Sequence, residues 1–220
     1  MYGLPISTER KKQLPKKVLY AKFDLKPAQR ESFDADVARI DIVAVVSPAT
    51  VPALAVGEEV KEFYLLAVQL KRKEYDTKNI MLLTKLIPQR MVLALHYDEQ
   101  VQFAVHHTRL ITSEWMPHAV GTQYIASGVD NANGGQRTQH VASLQLEGIN
   151  LDIVWENMVK DIGQIDVAEG NTLTEQIATN DQRTKLLAQI ATLERKMANE
   201  KQPRRKREYF EQIKKLKNQL

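Results

Sequence analysis

The sequence predicts an α+β fold: a mixed sheet of about five strands with packing helices, plus a C-terminal antiparallel helical hairpin. Short β-branched segments such as IDIVAVV alternate with segments of helical period along residues 27–163. Residues 186–220 place apolar side chains at 4-3-4 spacing on both sides of a proline. The chain has no cysteine and is 43% hydrophobic, so an aliphatic core rather than disulfides must hold this fold together.

The N-terminal half supplies a helix and the first strands. VLYAKFDL (18–25) is β-like, and STERKK before it predicts a short turn. Pro27 begins a segment with apolar residues at helical spacing, because proline suits the first position of a helix. IDIVAVV (40–46) predicts a buried strand, and EEVKEFYLLAVQLKRK (58–73) predicts a longer one.

The remainder of the first 163 residues alternates between segments with helical periodicity and segments typical of strands. Asp76 is a suitable N-cap for a helix over 76–88, and Asn150 is one for a helix over 150–163. Between these helices we expect a hairpin of two strands at 91–98 and 101–111. A turn-rich flexible loop at 130–137 and one further strand at 142–148 should follow it. Trp115 and Trp155 are interpreted as core anchors.

The C-terminal hairpin has a register that can be stated in advance. Residues 172–200 predict one long helix, and Pro203 suits the first position of a second helix. An antiparallel arrangement about the turn would bury four apolar pairs: Leu186 with Leu220, Ile190 with Leu216, Leu193 with Ile213, and Met197 with Tyr209. We therefore expect a body at 1–170 and a hairpin at 171–220, in preference to one continuous helix in an intermolecular coiled coil.

The positive charge of the chain lies near its C-terminus. The formal net charge is +4, with +7 in residues 185–220 and −3 in the remainder. Such asymmetry is typical of an arm that binds a polyanion. Five basic residues form the basic tip of the predicted hairpin: Lys201, Arg204, Arg205, Lys206 and Arg207.

Two interpretations of the basic tip remain open. It is either a solvated helix end or a surface that contacts the phosphate backbone of DNA or RNA. Cations at the start of the second helix oppose the helix dipole, which favours the second interpretation. No interleaved aromatic residue or base-reading motif accompanies them, so we expect such contact to be independent of sequence.

An alternative hypothesis is a divergent magnesium-dependent nuclease of the restriction type. Such enzymes place an acid on one strand and an acid-x-Lys or Gln-x-Lys motif on the next. Asp41 with Gln69 and Lys71 would fit this order of elements. The same lysine could instead simply solvate a strand end.

Other cofactors are not expected, and magnesium enters only under that alternative. The adjacent His106 and His107 would point to opposite faces of a strand, whereas His96 could face His106 across the hairpin without a supporting carboxylate. The chain has no apolar run suited to a signal peptide or a membrane span, so we expect a soluble, cytoplasmic protein.

Several segments distributed over nearly the whole chain resemble a bacterial family described only as domain of unknown function 4391. They are GLPISTERKKQLPKK, VSPATV, LLTKLIPQRMVLAL, SEWMP, LDIVWENMVKDIG and EKQPRRKREYFEQIKKLKNQL. Residues 119–141 look like an insertion relative to that family. The resemblance implies a genomic setting beside helicase and DNA methyltransferase genes, as in restriction-modification or phage-defence clusters, and implies no catalytic residues.

These observations leave three hypotheses. The first is a non-catalytic accessory protein that binds a helicase- or methyltransferase-type partner and touches nucleic-acid backbone through the basic tip. The second is the nuclease. The third is a purely structural protein whose hairpin binds another protein through its apolar seam.

Overall fold

The computed structural model describes residues 2–118 and 143–219. The chain divides into two compact units, Met1–Gln164 and Ile165–Leu220. The predicted loop at 130–137 and the insertion at 119–141 lie outside the described residues. Within the described part of the chain, no helix is long and apolar enough to cross a membrane.

A mixed sheet forms the centre of the first unit. Its strands are β1 (Glu9–Gln13), β2 (Val37–Val46), β3 (Phe63–Leu70), β4 (Arg90–Tyr97), β5 (Gln100–His106), β6 (Leu110–Thr112) and β7 (Met116–Pro117). The first six strands follow one another across the sheet, and β7 also pairs with β5. Neighbouring strands are antiparallel except β3 and β4, which are parallel. The predicted α+β class is therefore confirmed, with short strands added to the expected five.

Helices cover both faces of this sheet. They are α1 (Lys16–Phe23), α2 (Pro27–Asp36), α3 (Thr77–Thr84) and α4 (Leu151–Gly163). Leu19, Phe33 and Ile80 of the first three helices share one buried cluster with Val68 and Leu93 of the sheet. On the opposite face α4 packs its Trp155 ring 5.8 Å from that of Phe63, so Trp155 is a core anchor as predicted.

Several expectations about local structure are wrong. The single strand expected at 101–111 forms two strands, β5 and β6, and the helix expected over 76–88 ends at Thr84. Residues 18–25 were expected to form a strand but belong largely to α1, because Leu19 is buried against the sheet and Tyr20 donates a hydrogen bond to Asp34 of α2. No strand forms at the described part of 142–148, where the Leu144 amide bonds instead to the Tyr2 carbonyl. His96 lies opposite Val101 in the hairpin, not opposite His106.

The predicted helix starts are confirmed at atomic level. The Asp76 side chain accepts a hydrogen bond from the Lys78 amide at 2.9 Å, which satisfies one free donor at the start of α3. Asn150 caps α4 in the same way through the Ile153 amide, also at 2.9 Å. Local side-chain chemistry therefore determines where these helices begin.

The second unit is a pair of helices, α5 (Leu173–Asn199) and α6 (Pro203–Lys217). Their facing sides carry the predicted seam. Ile190 and Ile213 are buried, and the other described seam residues are half-buried: Leu186, Leu193, Met197, Tyr209 and Leu216. Leu220 lies outside the described residues. The hairpin is therefore observed, with its apolar seam used between its own two legs.

Candidate nucleic-acid interface

The turn of the hairpin lies at residues 200–202, between Asn199 at the end of α5 and Pro203 at the start of α6. Proline occupies the first helical position, where its missing N–H costs nothing. The turn is stabilised by Glu200, whose Oε1 accepts hydrogen bonds from the Lys201 amide at 2.9 Å and the Gln202 amide at 3.0 Å. These backbone donors and the nearby cations hold the pKa of Glu200 below its usual range.

The five predicted basic side chains lie together at this turn. Lys201 belongs to the turn itself, and the other four occupy the first two turns of α6: Arg204, Arg205, Lys206 and Arg207. All five are exposed. Residues 200–208 contain five basic and two acidic side chains, so the local net charge is +3. The structure therefore brings the predicted residues together on one solvent-facing end.

The carboxylates near the basic tip form only long ion pairs with its arginines. Arg204 is 93% exposed, and its Nε lies 3.6 Å from Oε1 of Glu208. Arg205 Nη1 lies 3.9 Å from Oε2 of Glu200. The exposed Arg204–Glu208 pair contributes about 0–1 kcal/mol, so a phosphate could replace Glu208 at little cost. The Arg205–Glu200 contact is longer still, and Glu200 is engaged chiefly by the turn amides. Among the described residues, Lys201, Lys206 and Arg207 have no ion-pair partner.

The start of α6 adds to the positive field. Its first turn contains no acidic residue, and the N-cap Gln202 makes no side-chain hydrogen bond to the helix. The partial positive charge of the free backbone N–H groups and the side-chain cations therefore act in the same direction. Each cation at a helix N-terminus is unfavourable by about 0.3–1 kcal/mol, and a bound anion would remove this penalty.

An exposed aromatic ring adjoins the basic tip, and the sequence interpretation missed it. Phe210 is 54% exposed and lines an open groove of about 390 Å³ with Met197, Ala198, Lys206 and Arg207. The signal was available, because adjacent apolar residues cannot both face a seam. Tyr209 occupies the seam, so Phe210 must point elsewhere.

The charge of the chain is divided unequally between the units. Residues 165–220 contain twelve basic and eight acidic side chains, which accounts for the whole net charge of +4. Residues 1–164 contain nineteen of each and are formally neutral. Long-range attraction of a polyanion therefore originates in the second unit.

The residues of the nuclease alternative lie near one another but are engaged elsewhere. Asp41 and Gln69 share one face of the sheet, since Asp41 lies opposite Ala67 and Gln69 opposite Arg39. Asp41 Oδ2 is bound by Arg39 Nε at 2.7 Å. The Gln69 amide donates to two backbone carbonyls, at 3.4 Å each. Asp41 and Gln69 are thus held by protein partners.

Lys71 interacts electrostatically with Asp34. Its charge contributes to holding the pKa of Asp34 below the usual range, against the opposing effect of burial and together with hydrogen bonds from Lys16 and Tyr20. Within residues 2–118 and 143–219, no three histidine, aspartate or glutamate side chains are grouped as a metal ion would require.

A buried carboxylate that the sequence did not single out joins α2 to α3. Asp36 is fully buried and accepts hydrogen bonds from Asn79 Nδ2 at 2.7 Å, the Asp76 amide at 2.9 Å and Arg72 Nε at 2.5 Å. Burial alone would raise the pKa of Asp36, but these donors hold it below its usual range. With its oxygens satisfied by protein donors, Asp36 has a structural role.

A cluster of Tyr2, His96 and His118 was also not predicted, because these residues are far apart in the sequence. Tyr2 Oη lies 2.5 Å from His96 Nε2, and the His96 and His118 ring centroids lie 4.7 Å apart. Burial, and secondarily His118, lowers the pKa of His96 to about 4, while burial raises the pKa of Tyr2 to about 12. Both groups are therefore neutral near pH 7, and Tyr2 can donate to His96.

Fold and charge together define an α+β protein with a basic-tipped helical hairpin. The chain belongs to the family Domain of unknown function (DUF4391), whose model matches residues 2–220. The resemblance inferred from the sequence is thereby confirmed over essentially the whole chain. No curated protein and no solved structure matches the chain significantly.

Proposed function

We propose that this protein is a non-catalytic accessory component of a helicase- or DNA-methyltransferase-type restriction or phage-defence system, and that its basic tip contacts nucleic-acid backbone. The observation that carries the proposal is the basic tip itself. Five exposed cations and a free helix N-terminus converge on one end of the hairpin, with only weak carboxylate partners. Such an arrangement binds phosphate without reading base sequence.

The packing of the hairpin favours this proposal over a purely structural role. An interaction through the apolar seam would require the seam to be open, but Ile190 and Ile213 are already buried within the unit. The exposed side chains at the hairpin end are mainly the five cations of the basic tip, with the Phe210 ring beside them. A protein partner would therefore bind a surface other than the seam.

The test is the salt dependence of binding to a labelled DNA duplex. The variant R204A/R205A/R207A should lower affinity at 0.1 M salt by about two orders of magnitude, and should reduce the slope of log K against log salt by about 2.7, if each arginine contacts one phosphate. Unchanged affinity and slope would refute the basic tip as the contact.

A matched control separates a local contact from total charge. The variant R10A/K11A/K12A removes three exposed cations from β1 in the other unit. This control variant should retain most of the affinity for the duplex. An equal loss in both variants would show that net charge rather than the basic tip determines binding. Co-purification of a helicase-sized partner after nuclease treatment tests the partner separately.

A further inference from the structure

We propose that the groove beside the basic tip is a stacking site for an unpaired base, so that the ligand is a single-stranded nucleic acid and Phe210 is its platform. This inference rests on the proposed function and names the class of nucleic acid. The hairpin leaves one aromatic ring largely out of its own packing. Phe210 is 54% exposed, whereas the neighbouring Tyr209 is half-buried in the seam.

An isolated exposed apolar residue is common, so the surroundings of Phe210 carry the argument. Lys206 and Arg207 precede it by four and three positions and therefore lie on the same side of α6. Met197 and Ala198 of α5 also line this open groove, whose volume is about 390 Å³. Three apolar side chains and two cations around one shallow groove match one base and its adjoining phosphates.

The acidic residues nearby restrict where an anionic strand can lie. Glu208 and Glu211 line the adjacent groove together with Arg204 and Arg207. Arg207 borders both grooves, but only the Phe210 groove lacks a carboxylate among its lining residues. Charge complementarity therefore directs the strand to the Phe210 side, with the basic tip continuing its path toward the turn.

A single strand fits this groove better than a duplex does. In a duplex, both faces of each base are stacked on neighbouring bases, so the Phe210 ring could stack on a base only after that base had left the duplex stack. In a single strand the base face is free, and stacking on an aromatic side chain tolerates any base. The cations alone could bind the phosphates of a duplex, but the exposed Phe210 ring would then make no contact with the ligand.

The experiment measures binding of a labelled oligothymidine strand, and of a duplex of equal length, by fluorescence anisotropy with the full chain. F210A should weaken single-strand binding about 5- to 100-fold and duplex binding less than about twofold, with the salt slope unchanged. F210W should retain single-strand affinity, and its added fluorescence over the wild-type protein should be quenched by the strand. L187A is the matched control, because Leu187 is 49% exposed on α5 but lines neither the Phe210 groove nor its neighbour.

Each outcome has one meaning. Equal losses for strand and duplex in F210A, or no loss for the strand, would overturn the stacking site. If R204A/R205A/R207A weakens both ligands while F210A weakens neither, the basic tip stands and only the stacking site fails. If the triple variant weakens neither ligand, the proposed function itself fails. Binding of phosphatidylserine vesicles that requires Phe210, without single-strand binding, would overturn the inference in favour of a membrane surface.

Discussion

The buried His96 should make the first unit lose stability in mild acid. Its pKa lies at about 4 in the folded chain, against an ordinary value of 6.5. Between these values the unfolded chain binds a proton that the folded chain excludes, so the free energy of unfolding falls as the pH is lowered. The loss begins near pH 6.5 and is complete below pH 4.

The magnitude follows from the two pKa values. With 6.5 unfolded and about 4 folded, one histidine removes about 2 kcal/mol of stability between pH 7 and pH 5. His118, His106 and His107 also have lowered pKa values, so the wild-type protein should lose more than this amount. A variant is needed to isolate the contribution of His96.

His96→Gln provides that comparison, because a glutamine oxygen can still accept from Tyr2 Oη while the side chain no longer titrates. Urea unfolding should be followed by tryptophan fluorescence at pH 7 and pH 5. Trp115 and Trp155 both lie in the first unit, so the signal reports that unit. The wild-type protein should lose about 2 kcal/mol more than the variant over this interval. Equal losses in the two proteins would refute the buried neutral state of His96.

Three further predictions concern the hairpin, the buried carboxylate and the nuclease alternative. Ile213→Ala should destabilise the hairpin by about 2–5 kcal/mol in thermal unfolding followed by circular dichroism, whereas the exposed Leu187→Ala should change stability by less than about 0.5 kcal/mol. Asp36→Ala should cost at least about 2 kcal/mol in urea unfolding, because the buried Asn79 amide loses its acceptor and the hydrogen bonds from Arg72 and the Asp76 amide are lost with it, and a smaller loss would contradict its structural role. We expect no cleavage of duplex or single strand in magnesium; cleavage that disappears in both Asp41→Ala and Lys71→Ala would establish the nuclease instead.

The hairpin was predictable because its interactions are local and periodic. Apolar residues at 4-3-4 spacing determine which side of each helix is buried, and Pro203 determines where the second helix can begin. Within residues 186–219, every buried or half-buried residue except Glu200 is a member of the predicted seam. Caps such as Asp76 and Asn150 were predictable for the same reason, since each acts on an amide within three positions.

The wrong expectations arose where distant residues decide the outcome. VLYAKFDL has β-branched and aromatic character, yet contacts with α2 and the sheet hold most of it as a helix. Phe210 is a different case, because the helical period already predicts that it lies off the seam beside Tyr209, and the opposite leg decides only that Met197 and Ala198 share its groove.

The sequence by itself determined the family, the charge division, the apolar side of each hairpin helix and the position of the basic tip, because each depends on residue identities or spacings close along the chain. Only the tertiary structure assembled the neutral cluster at His96, whose hydrogen-bond partner Tyr2 is 94 positions away. It also brought Met197 and Ala198 of α5 to the groove of the Phe210 ring on α6. Burial and proximity set pKa values and binding surfaces, and both arise only when segments far apart in the chain pack together.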